Sequence, residues 1–203
     1  MKNLTGYPRN TGKYLSIFLN LLFTLSIISF TNGAKAQTSY KIMPGSKISV
    51  NGTSNIHDWT MLATSFSSEG ILTLKGEQLT DLSALSFLLP VTNLKSKDDL
   101  MNTRAYKTLK STQFSKITFK LSQANITSSQ KMINATGNLT IAGKTNQITL
   151  LTNYVVNGDE ITFKGSKPIK MSDYGIKSPS FMMGALKTGN EVSIDILLKL
   201  KKI

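Results

Sequence analysis

Along residues 135–150, ATGNLTIAGKTNQITL, Ala135, Gly137, Leu139 and Ile141 alternate with Thr136, Asn138, Thr140 and Ala142. A period of two sends successive side chains to opposite faces, so the stretch reads as a half-buried strand. Turn-forming Gly143-Lys144-Thr145-Asn146 breaks the alternation, and Ile148 and Leu150 resume it against Gln147 and Thr149. The two runs predict a β-hairpin.

The same alternation recurs along the chain. Residues 40–43 begin a first strand that Pro44-Gly45 interrupts and Ile48, Val50 and Gly52 continue. Residues 59–66 and 70–75 suit two strands joined by a turn at Ser67-Ser68-Glu69-Gly70, which predicts a meander. Residues 82–94 are apolar on both faces with Pro90 inside, as in a covered strand or an edge strand bulged at the proline. Asn157-Gly158 is a strong hairpin signal joining 150–156 to 160–164. Residues 178–190 read as a loop, and Val192, Ile194, Ile196, Leu198 and Leu200 close the chain as an alternating strand.

One helix interrupts the strands, over residues 96–109. Ser96-x-x-Asp99 has the spacing of a capping box, Asp98 and Asp99 suit the positive end of the helix dipole, and Met101, Ala105 and Leu109 share a face. Eight to ten strands in consecutive hairpins with a single helix fit an antiparallel barrel or a sandwich equally.

The N-terminus changes what belongs to this fold. Lys2, Arg9 and Lys13 precede an apolar run over 14–30, and Ala34-Lys35-Ala36 has the small-x-small form of a signal-peptidase site. Residues 1–36 are therefore expected to be a signal peptide cut before Gln37, leaving 37–203 as one domain in the periplasm or outside the cell. The chain has no cysteine, so no disulfide or acylated cysteine is expected. Four of its 24 Lys and Arg and none of its 11 acids precede Gln37, which leaves a net charge of about +9. That charge suits an anionic membrane surface or simply keeps the protein soluble. With no Arg-rich block and no interleaved aromatics, the chain is not expected to bind nucleic acid.

Several of these stretches resemble the YceI-like family of secreted lipid-binding β-barrels. They are Gly137 to Leu150 (Gly-x-Leu-Thr-Ile-x-Gly-x-Thr-x-x-Ile-Thr-Leu), Gly52 to Trp59, Met101 to Phe119, and Ser172-Asp173-Tyr174-Gly175-Ile176. One departure is Asn102, where many members carry an acid. The resemblance implies a lipocalin-like antiparallel barrel of about eight strands with one short helix. It also implies a polyisoprenoid, isoprenoid quinone or fatty-acid derivative as ligand, and a homodimer less strongly. On that reading Trp59, Leu72, Leu74, Phe87, Leu89, Phe119, Leu139, Ile141, Ile148, Leu150, Phe163 and Ile194 line the interior, while His57, Tyr106 and Tyr174 meet a polar end.

Candidate chemistry is sparse. One His and no Cys leave no zinc or copper site of ordinary composition, and no cofactor is expected. No Gly-x-Ser-x-Gly elbow is present, and the acidic pairs Asp98-Asp99 and Asp159-Glu160 are accounted for by a helix cap and a turn. His57 is either a polar gate at a barrel mouth or a hydrogen-bonded residue ordering the loop before Trp59, and Trp59 either plugs the core or stacks on a ligand. Phe181, Met182 and Met183 form either an adaptable lid or plain core. The expected function is a non-enzymatic lipid carrier. The alternatives are a filled barrel binding an anionic surface and a hydrolase built on His57.

Overall fold

A computed structural model describes residues 37–203; the expected signal peptide, 1–36, lies outside the described residues. Among the described residues the strands are β1 (Thr38–Ile42), β2 (Lys47–Ser54), β3 (Trp59–Ala63), β4 (Ser67–Lys75), β5 (Gln78–Pro90), β6 (Lys116–Thr127), β7 (Met132–Ile141), β8 (Lys144–Asn157), β9 (Glu160–Lys170), β10 (Ser180–Phe181) and β11 (Leu186–Lys202), with one α-helix, α1 (Asp99–Thr108). All pairings are antiparallel, in the order β1-β4-β5-β6-β7-β8-β9-β11, and β1 pairs β11 to close a ring of eight strands. The lipocalin-like architecture expected from the resemblance is therefore present, and a two-layer sandwich is not.

The break at Pro44-Gly45 determines how the ring closes. β1 and β2 lie end to end along one edge of β11, with Ile42 opposite Leu200 and Lys47 opposite Leu197. The intervening residues bulge out with Gly45 at φ 86°. Ser46, buried here, repairs the ladder: its hydroxyl accepts from Lys199 N at 2.9 Å and lies 2.9 Å from the Met43 carbonyl as donor. On their other sides the halves part, β1 pairing β4 and β2 pairing β3. The expected β3–β4 hairpin is thus replaced by a β2–β3 hairpin and a non-local β1–β4 pairing. β3 ends at Ala63, and Ser67 to Glu69 lie in β4 instead of forming a turn.

Beyond β3 the wall continues as the segment after β5, where Leu62 and Lys95 exchange backbone hydrogen bonds at 2.7 and 2.9 Å. Pro90 ends β5 rather than interrupting it, because Val91–Asn93 turns into a short 3-10 helix. The cap of α1 also differs from expectation. Asp98 is the N-cap, its carboxylate accepting from Leu100 N and Met101 N, while Ser96 Oγ accepts from Asp98 N at 3.1 Å in the approach loop. Asn102, buried in α1, ties that loop down by accepting from Ser96 N at 2.6 Å and Ser96 Oγ at 3.0 Å. Met101, Ala105 and Leu109 share the expected face and pack on Ile48, Met61, Ala63, Leu89 and Leu94.

Two turns shift register against the sequence reading. The β7–β8 turn is Ala142-Gly143, both with positive φ (48° and 81°), so Lys144, Thr145 and Asn146 already belong to β8. The β8–β9 turn is Gly158-Asp159, with only Gly158 left-handed at φ 57°. The stretch expected as a loop before the last strand instead contains β10 and the start of β11.

One end of the ring is filled by Tyr40, Leu72, Leu79, Ile133, Tyr154, Val156, Ile161, Phe163, Leu198 and Leu200. β5 and β6 separate there, pairing only through Ser86–Lys120 to Pro90–Lys116. Side chains from β8 and from the turn after β6 hold β5 in place there: Tyr154 Oη accepts from Leu79 N at 3.3 Å and Ser128 Oγ donates to Leu79 O at 3.0 Å.

Candidate functional site

Above that plug the ring is hollow. A cavity of ≈ 330 Å³ runs between the cluster under α1 and a second cluster of Phe119, Leu139, Ile141, Tyr174 and Ile176. Its volume falls within the range of small-molecule sites. The wall follows from the pleat: β7 turns Ile133, Ala135, Leu139 and Ile141 inward, β8 Ile148, Leu150 and Thr152, and β11 Val192, Ile194, Ile196 and Leu198. A close approach shapes the β6–β7 wall, since a Cβ on Gly137 would sit 2.4 Å from Phe119 Cζ. Glycine there lets the Phe119 ring lie across the sheet.

Of the residues expected to face the interior, Trp59, Phe87, Leu89, Phe119, Leu139, Ile141, Ile148, Leu150, Phe163 and Ile194 line this cavity, as do His57, Tyr174 and Phe181. Leu72 and Leu74 do not: register shifts in the β4–β5 ladder after Ile71 and after Thr73 accompany their packing into the plug. Tyr106 is also displaced from the expected site. Its hydroxyl lies 2.9 Å from Thr92 O and 3.0 Å from Leu94 O, pinning α1 to the segment before it. Met183 is fully exposed at φ 54°, so it is neither core nor cavity wall.

The cavity reaches solvent at the β2–β3 loop and the start of α1, where His57 and Asp98 line it while exposed. Ser54 orders that loop: its Oγ donates to His57 O at 2.7 Å and accepts from His57 N at 3.1 Å. His57 Nδ1 lies 2.8 Å from Asp58 O. These contacts order the loop before Trp59, and the His57 ring borders the opening. Across the opening, Arg104 of α1 stacks its guanidinium 4.2 Å from the centre of the Phe181 ring. Such a contact contributes about 0.5–1 kcal/mol and holds β10 over the mouth. Arg104 was missed in the sequence because a helical position carries no period-two signal.

A second polar group sits in the wall. Lys167 of β9 lines the cavity, in phase with Phe163 and Ile169. The alternation could have found it had β9 been extended past Lys164. Beside it, the Ser172-to-Ile176 motif forms a tight turn in which Gly175 N donates to Ser172 O at 3.0 Å and Ile176 N to Met171 O at 3.1 Å, with Gly175 at φ 66°. The turn places Tyr174 in the wall, 3 % exposed, with its hydroxyl buried and without a hydrogen-bond partner. Burial pushes the Tyr174 pKa above its usual value and Asp173 adds to the rise, while the Asn146 amide, which donates to Asp173 O and lies near the phenol without meeting hydrogen-bond geometry to it, opposes it. Among the described residues, no group of three or more His, Cys, Asp or Glu could hold a metal ion.

Comparison with known proteins agrees with this geometry. A YceI-like domain model matches residues 33–200. BcnA of Burkholderia cenocepacia superimposes with a TM-score of 0.64 at 21% identity, covering 76% of this chain and 95% of that one. A polyisoprenoid binding domain from Saccharophagus degradans, implicated in plant cell wall breakdown, gives 0.62 at 14% identity, covering 82% and 99%. The YCEI protein of Campylobacter jejuni gives 0.55 at 14%, covering 67% and 81%. Comparison with curated protein sequences gives no match. The match to the family model over nearly all of the described residues, on a ring of eight strands with an apolar interior, places this chain in the YceI-like family.

Proposed function

We propose that residues 37–203 act after export as a non-enzymatic carrier that holds a long-chain lipid of the polyisoprenoid, isoprenoid quinone or fatty-acid type inside the ring. The observation that carries this reading is the cavity itself, an apolar space enclosed by strand faces and open at a rim bearing His57, Asp98 and Arg104. Each methylene moved from water into such a wall contributes about 0.8 kcal/mol. A chain of about a dozen carbons would then offset the loss of its own freedom, because the cavity is already formed. The structural likeness to a polyisoprenoid binding domain supports the same ligand class.

Native mass spectrometry of protein purified from its own host tests the proposal. The expected result is a co-purifying lipid, and N-terminal sequencing of the same sample should begin at Gln37. Reproducible absence of bound lipid, with no uptake of added prenyl or acyl chains, would overturn the carrier reading.

A further inference from the structure

The ring is not hydrogen-bonded all the way round. β8 and β9 pair from Asn157–Glu160 to Thr152–Gly165 and no further. Beyond that point β8 runs on to Lys144 beside β7 alone, and β9 to Lys170 beside β11 alone. Gly165 stands where the strands part, close enough to β8 that a Cβ would lie 2.6 Å from Leu151 O. Pro168, which has no N–H to offer a neighbour, falls in the unpaired part of β9. The Met171–Tyr174 turn bridges the far end of the gap, accepting from Asn146 Nδ2 at Asp173 O, 2.8 Å, on the β8 side. It is anchored to β11 by Asn190, whose Oδ1 accepts from Ser172 N at 3.0 Å. The result is a framed window in the wall, and an outer hollow opens onto it between Lys144 to Thr149 and Lys167 to Ile169.

Two polar residues border both the inner cavity and this outer hollow, Lys167 and Tyr174. Lys167 is half-buried and its ammonium has no ion pair or hydrogen bond among the described residues, whereas those of Lys131, Lys170 and Lys201 face acids on the outside. Tyr174 is buried with its hydroxyl unpartnered. A donor left unsatisfied in an apolar wall is unfavourable unless something completes it, and the unpaired positive charge of Lys167 beside the same two spaces favours an anion in that role. An anionic oxygen serves both groups, because an ammonium and a phenolic O–H can donate to the same acceptor group.

We infer that the β8–β9 window is the headgroup site of the ligand, where Lys167 and Tyr174 bind a carboxylate or phosphate at the end of a chain lying in the cavity. This rests on the carrier reading and adds to it the charge of the ligand and the place where its head emerges, through the side wall rather than past Arg104 at the rim.

Displacement of a fluorescent fatty acid by hexadecanoate, hexadecyl phosphate and 1-hexadecanol tests it on the purified protein, with K167M, Y174F, R104M and K170M. Wild type should bind at least one of the two anions at least tenfold more tightly than the alcohol, and which anion is preferred distinguishes carboxylate from phosphate. K167M should abolish that preference while keeping the alcohol affinity, which also shows that the variant is folded. Y174F should reduce the preference several-fold. K170M, which removes an outward-facing lysine paired with Glu191 at 3.8 Å, should leave it intact. No preference in wild type, its survival in K167M, or its loss in R104M instead would overturn the window site while leaving the carrier reading standing. Failure of wild type to bind the probe, the anions or the alcohol would overturn both.

Discussion

The indole of Trp59 lies flat across Gly52, its pairing partner on β2, so closely that a Cβ at position 52 would fall 2.2 Å from Trp59 Cζ2. The indole N–H donates to Thr53 O at 3.2 Å, which fixes the ring over the strand at the cavity's edge. The Gly52-to-Trp59 motif therefore encodes a piece of cavity wall. Gly52→Ala should push the ring off its seat at a loss of about 1–3 kcal/mol, the usual penalty for overpacking. Trp59 is the only tryptophan, so a change in its emission alongside a lowered melting temperature would register the displacement directly.

A bulky side chain in the wall should remove binding without unfolding the ring. Leu150 points into the cavity from β8, half-buried. Leu150→Trp is expected to fill the space and strongly reduce lipid uptake in native mass spectra, while stability changes by no more than about 1–3 kcal/mol because empty volume is available to receive it.

The β7–β8 turn contains a correctable strain. Ala142 occupies the left-handed region at φ 48°, where a Cβ costs about 1–2 kcal/mol. Ala142→Asn or Ala142→Gly should raise stability by about 0.5–1 kcal/mol, since both residues favour the two-residue turn seen here. Chemical denaturation with an unchanged slope is the appropriate measurement.

Asn102 should matter to the loop before α1. Asn102→Ala leaves Ser96 N without its acceptor and is expected to destabilise by about 1–3 kcal/mol. Asn102→Asp keeps that acceptor and should be milder, despite Asp99 nearby. An acid at this position is thus compatible with the same structural role. Thermal melts of the two variants separate the cases.

Burial raises the pKa of Tyr174, and burial with nearby Asp159 and Asp99 raises those of Tyr40 and Tyr106, all above the ordinary 10.0. The folded state therefore holds these protons more tightly than the unfolded chain. Their contribution to stability is intact below pH 10 and declines as pH rises from about 10 through the folded values. Melting temperature should fall over that range, and Tyr174→Phe should lessen the fall.

Alternation made most strands legible, because a half-buried antiparallel sheet imposes a period of two wherever one face is apolar. β7, β8 and β11 carry that pattern clearly. Pairing was less legible: nothing local in Trp59 to Lys75 says that β3 joins β2 while β4 joins β1. That choice depends on the bulge at Pro44-Gly45 and on β11, well over a hundred residues away. The turn at Ala142 was hidden because alanine seldom adopts a left-handed conformation. Among wall residues, Leu72 and Leu74 carry the right residue type, and the irregular register of their ladder accompanies their place in the plug. Lys167 shows the reverse case, its phase along β9 pointing inward while its chemistry suggests a surface.

Tyr40 sits opposite Lys202 in the ladder that closes the ring, so the earliest and latest strands of the described chain are direct neighbours. Growth of the polypeptide cannot complete the cylinder until the whole of β11 has left the ribosome. Until then β1 and β9 each lack their neighbour along β11, and truncation through β11 would leave both of those edges unpaired.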